Sequence, residues 1–336
     1  MPERPDGSSA AYWLSICCGM VFFMVLLGGI TRLTGSGLSI TTWEPITGLV
    51  PPLDDAAWRR AFEAYQGTPQ YQELNRGMPL SEFKTIFFWE WLHRLWGRLI
   101  GIVFAVPLAV LLVRGRIGRT LALRLGMILA LGGLQGGIGW FMVQSGLEDA
   151  TSVSPYRLAL HLVVALVIYS VLLWTALDVR GGSRKVASTR LGWVALALLG
   201  LTISWGALVA GLRAGLIHNT WPLMDGDLFP DSATLLRPLW LNPFENPVAA
   251  QFIHRWLGPL TLLAVLAWVW RCRRVGGAGL AALALAALAQ VGLGLATLLS
   301  HVEIIIAVVH QAGAMILLTL LLYNLWRLCG RPTGRR

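Results

Sequence analysis

Charge is scarce in this chain. Only 13% of its 336 residues are Asp, Glu, Lys or Arg, about half the share of a soluble globular domain. Meanwhile 56% are hydrophobic and the mean hydropathy is +0.64. That balance excludes an ordinary soluble enzyme. Cysteine is also sparse: Cys17, Cys18, Cys272 and Cys329, with no C-x-x-C pair, so neither a c-type haem attachment nor a thiolate metal site is supported. None of the four falls in a segment read below as facing an oxidising compartment, where a disulfide would form. The first apolar run lacks an A-x-A cleavage site, so it is expected to stay as the first helix, and the N-terminus lacks the Arg- and Ser-rich look of a mitochondrial transit peptide.

What is present is a set of long charge-free runs. Asp6 to Arg32 encloses 25 uncharged residues, Arg124 to Glu148 23, Arg157 to Asp178 20, Arg190 to Arg213 22, Arg274 to Glu303 28 and Glu303 to Arg327 23. Two shorter runs of 15 lie between Arg98 and Arg114 and between Arg255 and Arg271. Since about 20 residues cross a bilayer, the short runs must begin earlier, near Thr85 and Asn246, with polar groups in their outer turns. Ionisable residues at membrane depth are costly and are functional candidates by default.

The net charge of +10 follows the loops. The segments around Arg114, Arg180 to Arg190, Arg271 to Arg274, and Arg327 onward carry three, four, three and four basic residues. Basic short loops stay in the cytoplasm, so these alternate connections and both termini are expected there. The basic excess is then a topology signal, which argues against nucleic acid and for a lipid bilayer as the main partner. The expected location is a bacterial inner membrane. The opposite side holds a long first outer loop, 32–84, with an amphipathic helix near 54–65, a short loop with Glu148 and Asp149, and a third loop from about Arg213 to Glu245.

The two halves share a plan. Gly37-Leu38-x3-Thr42-Trp43 matches Gly215-Leu216-x3-Thr220-Trp221 at a shift of 178 residues. Leu92-His93-Arg94-x2-Gly97 matches Ile253-His254-Arg255-x2-Gly258 at 161, Gln135-x-Gly137-x-Gly139 matches Gln290-x-Gly292-x-Gly294 at 155, and His161-x3-Ala165 matches His310-x3-Ala314 at 149. Four ordered matches point to a parallel repeat. The fold expected is an all-α polytopic membrane protein with eight transmembrane helices arranged as two repeated four-helix bundles. Its parts are a tail 1–9, a first half 10–178, a linker 179–190, a second half 191–327 and a tail 328–336. The glycine strings are expected to let helices approach closely.

Four of the six histidines sit on the repeat. Counting to the next cytoplasmic arginine puts His93, His161, His254 and His310 at 21, 19, 17 and 17 residues, roughly 26–31 Å at helical rise and so at one outer level. Two histidines per half suit bis-imidazole ligation of haem iron. Zinc would want three or four ligands, and no carboxylate or thiol repeats to complete them. A hydrogen-bonded interhelical role or a proton relay is the simpler reading for any one of them. Arg94 and Arg255, at the aqueous edge, suit either haem propionates or ordinary snorkelling. Three residues before His93 stands Glu90, and three before His254 stands Gln251, each on its histidine's face. A carboxylate beside one site and an amide beside the other suggests proton chemistry at the first, although Glu90 could simply pair with Arg94. His218 and His301 do not repeat and are read as loop residues, His218 at the edge of a site.

These residues resemble a known family. Gly28-Gly29-Ile30-Thr31-Arg32-Leu33-Thr34-Gly35-Ser36-Gly37-Leu38-Ser39, Glu90-Trp91-Leu92-His93-Arg94, His218-Asn219-Thr220-Trp221-Pro222-Leu223-Met224-Asp225-Gly226, Phe252-Ile253-His254-Arg255 and His310-Gln311-Ala312-Gly313 are similar to motifs of the haem A synthase family, in the branch shared by mitochondria and alpha-proteobacteria. The cysteine pair of the Gram-positive-type enzymes is absent here. The resemblance implies oxidation of the C8 methyl of haem O to the formyl group of haem A, for cytochrome c oxidase. It implies substrate haem O on His93 and His161, haem b on His254 and His310, and sites near the periplasmic side. Glu90 would be the catalytic acid/base or charge-stabilising residue, with Arg94, Arg255 and Arg32 as propionate partners. Haem O synthase and an electron-transfer protein are the implied partners, and self-association is left open. Two alternatives remain from the residues alone: a di-haem b quinol oxidoreductase, and a haem-handling transporter or chaperone.

Overall fold

The computed structural model describes residues 7–44, 47–182 and 185–329. The tail and linker positions 1–6, 183–184 and 330–336 lie outside the described residues. In chain order the helices are α1 (Gly7–Leu33), α2 (Asp55–Gln66), α3 (Pro69–Glu73), α4 (Leu80–Val113), α5 (Arg119–Asp149), α6 (Pro155–Arg180), α7 (Arg190–Gly211), α8 (Asn242–Glu245), α9 (Pro247–Gly276), α10 (Ala278–Leu299) and α11 (Ile304–Leu328). Eight of them, all but α2, α3 and α8, are long and apolar enough to cross a membrane. Large apolar side chains stand exposed along these spans, among them Leu123, Leu263 and Leu285, as a lipid environment allows. The protein is a multi-pass membrane protein built from helices.

The two short runs do begin earlier, for separate local reasons. Asn246 caps α9, its side chain accepting from Val248 N–H at 2.9 Å, and Pro247 takes the first helical position, where a missing N–H costs nothing. Helix α4 begins at Leu80, five residues ahead of the expected Thr85, because its outer turns have something to pack on. Phe83, Ile86 and Phe87 are buried with Tyr65 and Tyr71 of α2 and α3. Two other expectations shift. Glu148 and Asp149 belong to the last turn of α5 and not to a loop, and the amphipathic helix runs over Asp55–Gln66, capped by Asp54, whose carboxylate accepts from Ala57 N–H at 2.7 Å.

The chain divides into two compact units. One contains Ile16–Ile168. Here Trp96 of α4 donates to the Met20 carbonyl of α1 at 2.9 Å, and its ring meets Phe23 edge-on at 4.9 Å. The first outer loop folds on α4 through the aromatic group above. Tyr65 and Phe83 are fully buried, worth about 2–3 kcal/mol each. Gln70 ties this group to the end of α1 by donating to the Gly35 carbonyl at 3.0 Å.

The other unit contains 7–15 and the described residues from Tyr169 onward. Helix α9 packs on α7 and α10, and α11 on α10 and α7. Gly192 of α7 is required here, since a β-carbon would lie 2.7 Å from both Trp268 and Leu325. Thr202 and Thr261 pair at 2.8 Å across α7 and α9, and Asn324 of α11 donates to the Gly279 carbonyl of α10 at 3.0 Å. At the end of α6, Asp178 accepts from the Trp326 indole at 2.8 Å.

The loop polarity can be checked directly. Single cysteines at the exposed positions Glu73 and Arg116 are expected to react with an impermeant maleimide from opposite sides of the membrane; reaction of both from one side would contradict the eight-span topology.

Candidate functional site

The four repeated histidines lie inside α4, α6, α9 and α11, and each meets a glycine of a neighbouring helix. A β-carbon built on Gly139 of α5 would lie 3.0 Å from Cε1 of His161, and one on Gly294 of α10 would lie 3.0 Å from Cε1 of His310. One on Gly206 of α7 would lie 2.9 Å from Cε1 of His254. Gly28 of α1 faces the His93 ring more loosely, its β-carbon position lying 3.7 Å from Nε2. At the first three places any other residue would push the ring aside. His93 lies close enough to His161, and His310 to His254, for electrostatic interaction within each pair. The rings are half-buried rather than sealed.

This changes the reading of the glycine strings. Gly137 and Gly292 have nothing within 4 Å of a built β-carbon, so close helix approach is not what that part of the string serves; Gly139 and Gly294 make room for imidazole rings. Gly28, quoted above only as part of a motif, and Gly206 are separated by the same 178 residues as the loop openings. That shift was the available signal for them.

Helices α5 and α10 also grip the histidine backbone. Gln135 Nε2 donates to the His161 carbonyl at 2.8 Å, and Gln290 Nε2 to the His310 carbonyl at 3.0 Å. Four residues on, the same helix face presents the glycine. The imidazole nitrogens differ in their surroundings. His254 Nδ1 lies 2.9 Å from the Thr202 carbonyl and His310 Nδ1 lies 3.2 Å from Gln290 Nε2, whereas His161 Nδ1 is buried with no partner.

The two arginines are committed to loops. Arg94 donates from Nη1 to the Thr42 carbonyl at 2.9 Å and from Nη2 to the Ile40 carbonyl at 3.0 Å. Arg255 donates from Nη1 to the Thr220 carbonyl at 2.8 Å and from Nη2 to the His218 carbonyl at 2.8 Å. Each guanidinium lies 5.6 Å from a tryptophan ring centre, Trp43 and Trp221 respectively. Each is a clamp that fixes an outer loop one residue from a histidine. Arg32 ends α1, half-buried. His218 stands at positive φ (46°) with Nδ1 2.8 Å from Asp225, and its carbonyl belongs to the Arg255 clamp. His301, also at positive φ (55°), sits in the turn between α10 and α11.

Glu90 and Gln251 are both buried, 2% and 4% exposed, and face opposite backbone polarity. Glu90 Oε2 accepts from Ser39 N–H at 2.7 Å, Ser39 Oγ at 2.7 Å and Ile40 N–H at 2.9 Å, while Oε1 accepts from Arg94 at 2.7 Å. Gln251 instead donates from Nε2 to the carbonyls of Ala214, at 3.0 Å, and Ile217. An acceptor-only carboxylate suits the first loop, and an amide donor suits the second. The difference thus has a local structural reason besides any catalytic one.

A consequence follows for stability. Glu90→Gln turns an NH2 toward donors and gives up charge-assisted bonds worth about 1.5–3 kcal/mol each; Gln251→Glu turns a carboxylate toward two carbonyls. Both are expected to lower the melting temperature of the detergent-solubilised protein, and a wild-type melting temperature for either would contradict the bonding described.

Comparison with known proteins identifies the family. The COX15-CtaA family profile, described as cytochrome oxidase assembly protein, matches residues 11–322. A Rhodospirillum centenum protein named "Heme A synthase" is 54% identical over 347 residues, spanning 100% of this chain and 93% of its own length. Proteins of the same name from a Bradyrhizobium species and from Paramagnetospirillum magneticum are 47% and 49% identical, over 98% and 94% of this chain and 94% and 92% of their own lengths. The chain belongs to the COX15-CtaA family of cytochrome oxidase assembly proteins.

Proposed function

We propose that this chain is a membrane oxidoreductase that converts haem O to haem A, with haem O held between His93 and His161 and a resident haem b between His254 and His310. The observation that carries the reading is the doubled arrangement of two close histidines, each ring against a neighbouring-helix glycine, in a chain about half identical to proteins named for this activity. The same matched contacts support two repeated halves, 10–178 and 191–327. The reading further places the protein in a bacterial inner membrane, with both haem sites toward the periplasm.

The residues fit haem. Paired neutral imidazoles are the donor set of low-spin haem proteins. The Thr202 carbonyl at His254 Nδ1 leaves Nε2 for iron, the usual division of labour in a ligating histidine. Arg255 keeps a buried Nε–H without a partner, the donor it has left for a propionate; Arg94 and Arg32 are the candidates on the substrate side. When bound, haem b supplies one-electron redox chemistry.

The reaction takes the C8 methyl through an alcohol to a geminal diol, each step replacing one C–H by C–OH, a two-electron oxidation of the carbon, and loss of one water from the diol leaves the formyl group. His93 and His161 orient the substrate, and the clamped 39–43 loop covers the outer turn of α4 beside it. Glu90 is the carboxylate one turn from His93. With four donors already on its two oxygens it is a poor proton shuttle, so it serves as a fixed negative charge, preorganised in the sense that favours developing positive charge. A haem O synthase supplies the substrate and an electron-transfer partner exchanges electrons with the resident haem.

Mass-resolved pigment analysis of the purified protein tests this. His254→Ala and His310→Ala are expected to lose low-spin haem b, and His93→Ala and His161→Ala to keep it while making no haem A. Release of only unmodified haem by the wild type would overturn the reading. For Glu90→Gln, the haem A to haem O ratio per haem b-loaded molecule is expected to fall about 10²-fold, as for loss of one preorganised electrostatic contact; an unchanged ratio would leave Glu90 with its loop alone.

A further inference from the structure

The geometry points to a difference in how firmly the two histidine pairs are held, and to Gln290 as the positioning residue that makes it. This rests on the reading that His254 and His310 ligate haem b. Both histidines of that pair have a partner at Nδ1: the Thr202 carbonyl at 2.9 Å from His254, and the Gln290 amide at 3.2 Å from His310. Among the described residues the other pair has none. His161 Nδ1 is buried and bare, and no hydrogen bond reaches the His93 ring. Yet Gln135 stands where Gln290 does and grips the His161 carbonyl in the same way. The backbone grip is common to both units; the contact to the ring belongs to the second alone.

The chemistry of a ligating histidine gives this contact its meaning. With Nε2 on iron, the proton sits on Nδ1. The Gln290 amide can turn end for end without changing shape; its Oε1, otherwise buried without a partner, then accepts that proton, and this bond replaces the Nε2 donation to the His310 carbonyl. Such a bond fixes the ring plane and raises the donor strength of Nε2; outer partners of this kind are worth about 10–100-fold in metal affinity. A pair held at both Nδ1 atoms retains its haem through many turnovers. A pair held at neither binds more weakly and can exchange substrate for product, as a site for haem O and haem A must. Gln290 and the Thr202 carbonyl therefore make the second unit a retaining site, and their lack makes the first an exchanging one.

Four variants of the full-length purified protein separate the possibilities, each read by haem b transfer to apomyoglobin and by the haem b midpoint potential. Gln290→Leu removes both contacts and is expected to speed haem b transfer about 10–100-fold and to raise the potential, because a weaker donor stabilises ferric iron less. Gln290→Glu can still accept from Nδ1–H but cannot donate to the His310 carbonyl. It is expected to keep slow transfer and to lower the potential, and it decides the matter even if the leucine variant loses all its haem. Gln135→Leu is expected to leave both readings at wild type. If Gln290→Leu matches wild type, or if Gln290→Glu is as leaky as Gln290→Leu, the ring contact does nothing and the inference fails. Retention of low-spin haem b by His310→Ala would instead overturn the underlying ligand assignment.

Discussion

The constraint on which the site depends is steric: an imidazole ring must lie against a helix backbone, and only glycine leaves the space. Three of the four repeated histidines press against a glycine so closely that a β-carbon would come within about van der Waals collision. A ring caught between its own helix and a bare stretch of the next has few rotamers left, so its free nitrogen is held in a fixed direction. In a bilayer, where apolar burial adds little to helix association, such contacts also decide which helices sit side by side.

The loops are held by the same turn that carries the ring. Arg94 follows His93 and Arg255 follows His254, and each guanidinium is spent on two or more loop carbonyls and a tryptophan face. Charge-assisted bonds to carbonyls are strong, and they bring the loop to a fixed height above the histidine. The residue one turn before the histidine completes the clamp with whichever polarity the loop offers, a carboxylate for the N–H groups of Ser39 and Ile40 and an amide for the carbonyls of Ala214 and Ile217. Glu90 is therefore tied to architecture, and only a measurement normalised to folded, haem-loaded protein separates that role from the proposed catalytic one.

Much of this was legible in the sequence because it is repeated. The charge-free runs gave the eight spans, and the four ordered matches gave the histidines, since chance does not place His-Arg and Gln-x-Gly-x-Gly at falling, ordered shifts. What was not legible depends on the fold of irregular segments. Besides Glu90, the partners of Arg94 are carbonyls 52 and 54 residues away, in a loop without periodicity, so the loop clamp could not be read from the sequence. The early start of α4 followed from aromatic packing with α2 and α3, which no charge count shows. Gln135 and Gln290 were matched as letters, but that one of them reaches an imidazole nitrogen and the other does not is a matter of tenths of an ångström in side-chain placement.

Oxidising an unactivated methyl group requires a substrate held still and a stepwise oxidation, and in the proposed reading the two histidine pairs divide those tasks between an exchangeable haem and a resident one. The most direct measurement is an iron anomalous-difference map from crystals of the protein grown with haem O. The expected result is two iron peaks, one flanked by Nε2 of His93 and His161 and the other by Nε2 of His254 and His310. Iron beside other side chains, or in only one of the two units, would contradict the two-haem account.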